Sequence, residues 1–356
     1  MSADESIAAQ AVDAQVLHDH LVQAGIEVAG PLTIDLIGGG KSNITCRVTD
    51  GTSRWILRRP PLGDYAAGAH DVGREFRVMT ALAGSQVPVP DMVLDCTDPS
   101  VIGAPFYLMS EVAGRVIRAP QDVADLTEAT RHELGTHLVN VLADLHSVDA
   151  EAVGLGGLGR PLGYLERQVS RWIRQMEAVQ QRPLEHVAEL SSILRGGMPA
   201  SAETTIVHGD YRLDNVVVSV DQPTGVLAVL DWEMATLGDP LADLATLLMF
   251  WDVPGRPFNP ITQGLMAEPG FPTAEEAVAI YRERRQVEVE HFDWYMVFSQ
   301  FKLAVILEQI RVRHAAGETL GGGFDDLGKS VDFLLDAAME HALASPTLSA
   351  YLPAAR

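Results

Sequence analysis

The sequence predicts an α+β chain. Residues 1–112 read as a small antiparallel sheet with one main helix, and residues 113–356 as a larger, mostly helical part. Three observations carry that prediction. Short β-rich runs joined by tight turns fill residues 32–59; segments of helical periodicity dominate after Gly114; and among those helices lie two β-branched runs, residues 215–220 and 226–230.

Taken in order, residues 5–25 have helix-forming composition, with Ile7, Val12, Val16, Leu17 and Leu21 at helical spacing, before Gly30 and Pro31 break the pattern. Residues 32–37, 43–48 and 54–59 are three strands linked by a glycine turn at Gly38–Gly40 and a turn at Asp50 and Gly51, an antiparallel meander. Residues 72–82 set Phe76, Met79 and Leu82 on one helical face, and Pro88 and Pro90 forbid continuation. Residues 92–94 and 106–109 complete a five-stranded sheet, and 110–114 form a linker. Helices follow at 131–146, 164–176, 241–251, 274–289, 294–313 and 327–343; the turn Asp221–Gly225 joins the two β-branched runs as a hairpin.

Composition narrows the function. With 47% hydrophobic and 21% charged residues the chain is of ordinary globular type, and 356 residues suffice for about two domains. A net charge of −22 with no basic stripe excludes nucleic acid and disfavours anionic membranes; it leans weakly toward a cationic substrate. Cys46 and Cys96 form no zinc pattern, the acidic start MSADESIAAQ is no secretory signal, and residues 241–251 are too short to span a bilayer. A cytoplasmic protein with reduced thiols, a small-molecule partner and no evident protein partner is expected.

Chemistry concentrates in Ile206-Val207-His208-Gly209-Asp210-Tyr211-Arg212-Leu213-Asp214-Asn215, followed one hairpin later by Leu230-Asp231-Trp232-Glu233. Phosphoryl transfer needs a carboxylate to take the attacking hydroxyl's proton and hard oxygen ligands for Mg²⁺ on the nucleotide phosphates. Asp210 suits the first task, Asn215 and Asp231 the second. Upstream, Gly38-Gly39-Gly40-Lys41-Ser42-Asn43 lies between two strands, where glycines let backbone N–H groups approach phosphates. It is not a Walker A loop, because the required first glycine falls at Asp35 and a strand, not a helix, follows. Gly154–Gly159 fits G-x-G-x-x-G but follows a helix, so it is a loop.

The His-Gly-Asp-x-x-x-x-Asn spacing, the Asp-Trp-Glu triplet and Gly238-Asp239-Pro240-Leu241-Ala242-Asp243-Leu244-Ala245 together resemble the aminoglycoside phosphotransferase family of the protein-kinase-like, two-lobe fold. The tracts at 57–61 and 167–172 are similar to the branch associated with acyl-CoA dehydrogenases. The resemblance implies ATP (GTP possible) and Mg²⁺, with Asp210 as catalytic base, Asn215 and Asp231 as metal ligands, and His208 ordering the loop. Arg212 matches a position that often contacts phosphate, with a salt bridge to Asp214 or Glu233 as the other reading. For the nucleotide it implies Gly39, Gly40, Ser42 and Asn43; Arg58 in the place of the usual Lys, with Arg59 as rival; Glu75 as that cation's partner; and the backbone of Met109, Glu111 and Val112 beside the base. Asp239 and Asp243 read as a helix cap and a first-turn residue. The acceptor is a small-molecule hydroxyl on a hydroxyacyl-CoA-like or aminoglycoside-like compound, the alternative being a catalytically silent nucleotide-binding module.

Overall fold

The computed structural model describes residues 7–8, 10–37, 43–63, 71–251, 264–317 and 326–352. Gly39, Gly40 and Ser42 of the expected phosphate loop lie outside them. The described chain divides into two units, one comprising residues up to Arg115 together with Leu227–Ala235, the other Val116–Val226 with the residues from Thr236 onward.

In the first unit, β1 (Thr33–Leu36), β2 (Ile44–Thr49), β3 (Arg54–Arg59), β4 (Met92–Cys96) and β5 (Phe106–Ser110) form one antiparallel sheet in the order β1-β2-β3-β5-β4. Period-two alternation sends Cys46, Val48, Trp55, Leu57, Phe106 and Leu108 to one face, where they pack against Leu17 and Leu21 of α1 (Ala14–Gln23). The helical pattern from residue 5 does not run unbroken. Asp13 takes the N-cap and accepts the N–H groups of Gln15 and Val16 at 2.9 and 3.0 Å, so α1 begins at Ala14. Alternation also gives β3 a second face, which presents Arg58 opposite Tyr107 of β5. There α2 (Val72–Leu82), with the boundaries the sequence predicts, sets Phe76 against the Tyr107 ring at 6.3 Å.

The second unit is helical: α3 (Glu128–His146), α4 (Tyr164–Val179), α5 (Val187–Gly196), α6 (Pro240–Met249), α7 (Ala274–Arg285), α8 (Phe292–Ala315) and α9 (Leu327–Ala344). Its core gathers Trp172, Ile173 and Met176 of α4, Ile193 and Leu194 of α5, Phe298, Phe301 and Val305 of α8, and Leu334 and Leu335 of α9. Trp294, Tyr295 and Phe301 are therefore core residues, as their apolar setting predicts. α7 stops four residues short of the expected 289 because Gln286 turns left-handed at φ 56°. The expected hairpin is β7 (Val216–Val218) and β8 (Val226–Val229), but sequence patterning passes over α5 and two strands, β6 (Thr205–Val207) and β9 (Thr236–Gly238), which pair antiparallel. Three residues are too few to show a period. The run of turns at Gly154–Gly159 is a loop, not a dinucleotide turn. Among the described residues no helix is long and apolar enough to cross a membrane.

Leu57 has no exposed surface and lies at the centre of the first unit's core. Leu57→Ala should cost roughly 2–5 kcal/mol, read from the shift of the first unit's denaturant midpoint; a shift below that range would mean the sheet does not depend on this face.

Candidate active site

In the first unit a single guanidinium gathers the acids. Arg58 lies 3.3 Å from Glu75 through Nε and 2.8 Å from Asp231 through Nη2, with Glu233 at 4.0 Å. Its neighbour Arg59 points to the other face of β3, where Nη1 donates to the carbonyls of Ala11 (2.5 Å) and Ile102 (2.9 Å). Strand alternation thus separates the two candidates, and Arg58 is the one paired with Glu75. Glu75 has no exposed surface; it accepts from Asn43 Nδ2 at 3.1 Å and from Tyr107 Oη at 3.2 Å. Burial pushes its carboxyl up to about 7 and Asp231 and Glu233 add to the rise, with Arg58 opposing. Burial works against the Arg58 charge, yet Glu75, Asp231 and Glu233 hold it firmly protonated.

Asp231 reaches this group although 173 residues separate it from Arg58. The segment is fastened first by the Val229 N–H on the Pro88 carbonyl at 2.8 Å, then by the fully buried Trp232, whose indole donates to the Val229 carbonyl, and by Arg74 Nε on the Ala235 carbonyl at 3.0 Å. Between these anchors Asp231 adopts φ 65°, a left-handed conformation that Asp tolerates better than most residues. Carboxylate oxygens of Glu75, Asp231 and Glu233 lie within 4.8 Å of one another. That donor set, hard anionic oxygens, is of the kind magnesium takes. Beyond this group, Met109 pairs with Ile56 and Met92 inside the sheet, and Glu111 donates its N–H to the Arg54 carbonyl while its carboxylate binds Arg47 at 2.7 Å.

In the second unit the loop after β6 is fixed by Asp243. This carboxylate, on the first turn of α6, accepts the His208 N–H at 2.5 Å and the Gly209 N–H at 2.7 Å. His146 Nε2 stands 3.4 Å from it, and Tyr281 Oη lies 2.7 Å from His146 Nδ1. Burial alone would raise the Asp243 carboxyl, but His146, His208 and the Gly209 N–H hold it below its usual value. From the other side Lys302 Nζ donates to the Gly209 carbonyl at 2.9 Å. Gly209, at φ 86°, supplies the bend. His208 is fully buried, its Nδ1 accepting the Asp210 N–H at 3.3 Å, so it orders the loop from within.

Asp210 emerges from that clamp with its carboxylate one-third exposed. Asn215 Nδ2 donates to the Asp210 carbonyl at 2.9 Å and to Oδ2 at 3.0 Å. With the amide nitrogen so engaged, the carbonyl oxygen is the Asn215 atom that could accept a hard cation. Arg212 Nε sits 3.1 Å from Asp214 and 3.4 Å from Asp210, within ion-pair reach of both carboxylates, and its guanidinium covers the Phe250 ring at 5.2 Å. Arg212 and Asp214 also line a small pocket with Arg118, Leu138, Leu247, Phe250 and Trp251.

The expected residues thus fall into two groups, each inside one unit: Asn43, Arg58, Glu75 and Asp231 in the first, His208, Asp210, Arg212 and Asn215 in the second. Sequence reasoning missed Asp243 as the clamp, because a carboxylate in a helix's first turn already has an adequate explanation. It also missed Lys302, although a lone cation inside the apolar run 294–307 was a visible signal.

Known proteins resemble this chain over most of its length. The human acyl-CoA dehydrogenase family member 11 is 35% identical over 341 residues, 95% of this chain but 43% of that protein, so the chain spans less than half of that relative's length. A crystal structure from Ralstonia eutropha JMP134, assigned to the aminoglycoside phosphotransferases, is 33% identical with a TM-score of 0.79 over 92% of this chain and 98% of that one. A ternary complex of aminoglycoside phosphotransferase APH(4)-Ia with AMP-PNP and hygromycin B shares the kinase-like fold at 16% identity, with a TM-score of 0.60 over 93% of this chain and 100% of that one. The family model described as the phosphotransferase enzyme family matches residues 33–276, a span that holds both groups of acids, and the chain belongs to that family of small-molecule kinases.

Proposed function

We propose that this chain transfers the γ-phosphoryl group of ATP, with GTP as a possible substitute, to a hydroxyl of a small molecule, with Asp210 as base and Asn215 and Asp231 as magnesium ligands. The observation that carries the reading is the immobilisation of Asp210 by Asn215, Arg212 and the Asp243 clamp. A loop held so firmly for structural reasons alone has no need to present a carboxylate. Asp210 Oδ accepts the acceptor's hydroxyl proton as the new P–O bond forms and the β–γ bridging bond breaks, releasing ADP. Magnesium, when bound, neutralises charge on the phosphate oxygens. Arg58, oriented by Glu75, addresses the α- and β-phosphates, and the glycine loop with Gly39, Gly40, Ser42 and Asn43 surrounds them. Because the Glu111 N–H is already given to Arg54, Val112 is the backbone partner we assign to the base after Met109.

For the acceptor, kinship with an acyl-CoA dehydrogenase family member favours a hydroxyacyl-CoA-like compound over an aminoglycoside-like one. Arg58 in place of Lys favours the other reading, a silent nucleotide-binding module, since a guanidinium keeps the charge but not the compact geometry of an ammonium. A coupled ADP-release screen over hydroxyacyl-CoA esters, amino sugars and amino alcohols separates the two: acceptor-dependent ADP formation supports the kinase, and none with any acceptor supports the silent module.

Asp210→Asn should lower kcat by roughly 10²–10⁴-fold with MgATP affinity nearly unchanged, and full turnover in that variant would refute the base assignment. Asp231→Ala should abolish magnesium-dependent nucleotide binding by calorimetry while leaving the helical unit's unfolding transition in place. Glu75 supplies a pH signature. Its folded pKa of about 7 exceeds the ordinary 4.5, so its ionisation costs stability that begins above pH 4.5 and is complete above pH 7. Between pH 5 and pH 8, Glu75→Gln should therefore gain a few °C of Tm on the parent chain in scanning calorimetry; a pH-independent difference would contradict the buried, charge-crowded setting.

A further inference from the structure

The acids dominate this chain, 48 against 26 Lys and Arg, yet one exposed strip of α4 is basic. On α4, Arg167, Arg171 and Arg174 are all exposed and, with Ser170, line a shallow surface depression whose only acid is Glu166. Spacings of four and three residues place the three arginines on one helical face. Arg167 is engaged by the carbonyls of Arg160 and Leu162 and serves as a brace. Arg171 and Arg174 have no carboxylate partner among the described residues. Arg171 lies against the face of Trp172, 5.0 Å from the ring centroid. Lys302 approaches the same ring at 6.0 Å, and its Nζ is the group that holds the Gly209 carbonyl, one residue before Asp210.

Arg171 and Lys302 thus lie against the same Trp172 ring, Arg174 follows Arg171 along the helix in the same depression, and Lys302 reaches the loop that carries the base. Burial pushes the Lys302 ammonium down and Arg171 adds to the fall, while Asp210 and Asp243 draw it back up. An anion arriving at Arg171 would relieve that repulsion, and a cation would meet like charges. Unpaired arginines beside a partly covered lysine are the usual means of holding phosphate or carboxylate oxygens.

We infer that Arg171 and Arg174, continued by Lys302, are an anion-binding extension of the acceptor site, so that the molecule phosphorylated at Asp210 carries a phosphate or carboxylate group apart from its reacting hydroxyl. This rests on the kinase reading for the role of Asp210, and it reverses what the net charge suggests, because recognition is set by the charges within a Debye length of the ligand and not by the whole-chain sum.

The test reads binding without turnover. The full chain, saturated with magnesium and AMP-PNP to fill the nucleotide site, is titrated by calorimetry with glycerol 2-phosphate, succinate, glycerol and choline. The expected result is binding of one or both anions and of neither glycerol nor choline, weakened at least tenfold in the R171E/R174E double variant and unchanged in R195E, an exposed control on α5. Whichever anion binds identifies phosphate or carboxylate as the recognised group. Equal anion binding in parent and double variant, preference for choline, or no anion binding by the parent chain would each overturn the inference. Because both arginines are exposed, the double variant's melting curve serves to confirm that it folds. Failure of the kinase reading would instead show as absence of ADP release with every acceptor, whatever the titration gives.

Discussion

Everything around the proposed base depends on one buried carboxylate accepting two consecutive backbone N–H groups. Asp243 binds the N–H groups of His208, which is fully buried, and of Gly209, which is partly so, and without it these donors would lose that acceptor away from bulk water. Taking a carboxylate out of water is costly unless hydrogen bonds replace hydration. Here His146 joins the two amides around it, Tyr281 backs His146, and Lys302 secures the Gly209 carbonyl from the opposite side. The loop is pinned at both the N–H and the carbonyl of Gly209, the residue before Asp210. Catalysis by positioning needs this kind of rigidity, since a displacement of about 1 Å at the reacting atom can cost on the order of a hundredfold in rate.

The first unit solves a different problem, that of keeping several acids together. Glu75, Asp231 and Glu233 stand within reach of one another, and Arg58 is the cation among them. An arginine suits that place. It remains charged despite burial, and its planar donors address Glu75 through Nε and Asp231 through Nη2 at the same time, which a lysine's single nitrogen would do less well. The substitution that weakens the likeness to a kinase lysine is therefore consistent with a crowd of three carboxylates.

Charge illustrates how bulk and local properties part. The sum over the chain is −22, but Glu75, Asp231 and Glu233 gather in one metal-suited group, while on α4 Arg171 and Arg174 have no carboxylate partner among the described residues. Net charge governs solubility and long-range attraction. It says little about which ions a given helix face will hold.

By itself the sequence determined the element types and the identity of the chemistry. Strand and helix periods placed β3 and α2 at their observed boundaries, and the His-Gly-Asp-x-x-x-x-Asn spacing singled out Asp210 and Asn215, because those patterns are local and repeat within a few residues. Strand alternation even implied that Arg58 and Arg59 face opposite ways, though not which of them meets Glu75. Tertiary structure alone decided the rest. It set Asp231 on Arg58 across 173 residues, converted Asp243 from a first-turn acid into the clamp of a distant loop, and brought Lys302 of α8 to the Gly209 carbonyl. Such contacts leave no period in the sequence, since they join elements whose separation along the chain is unrelated to their distance in space.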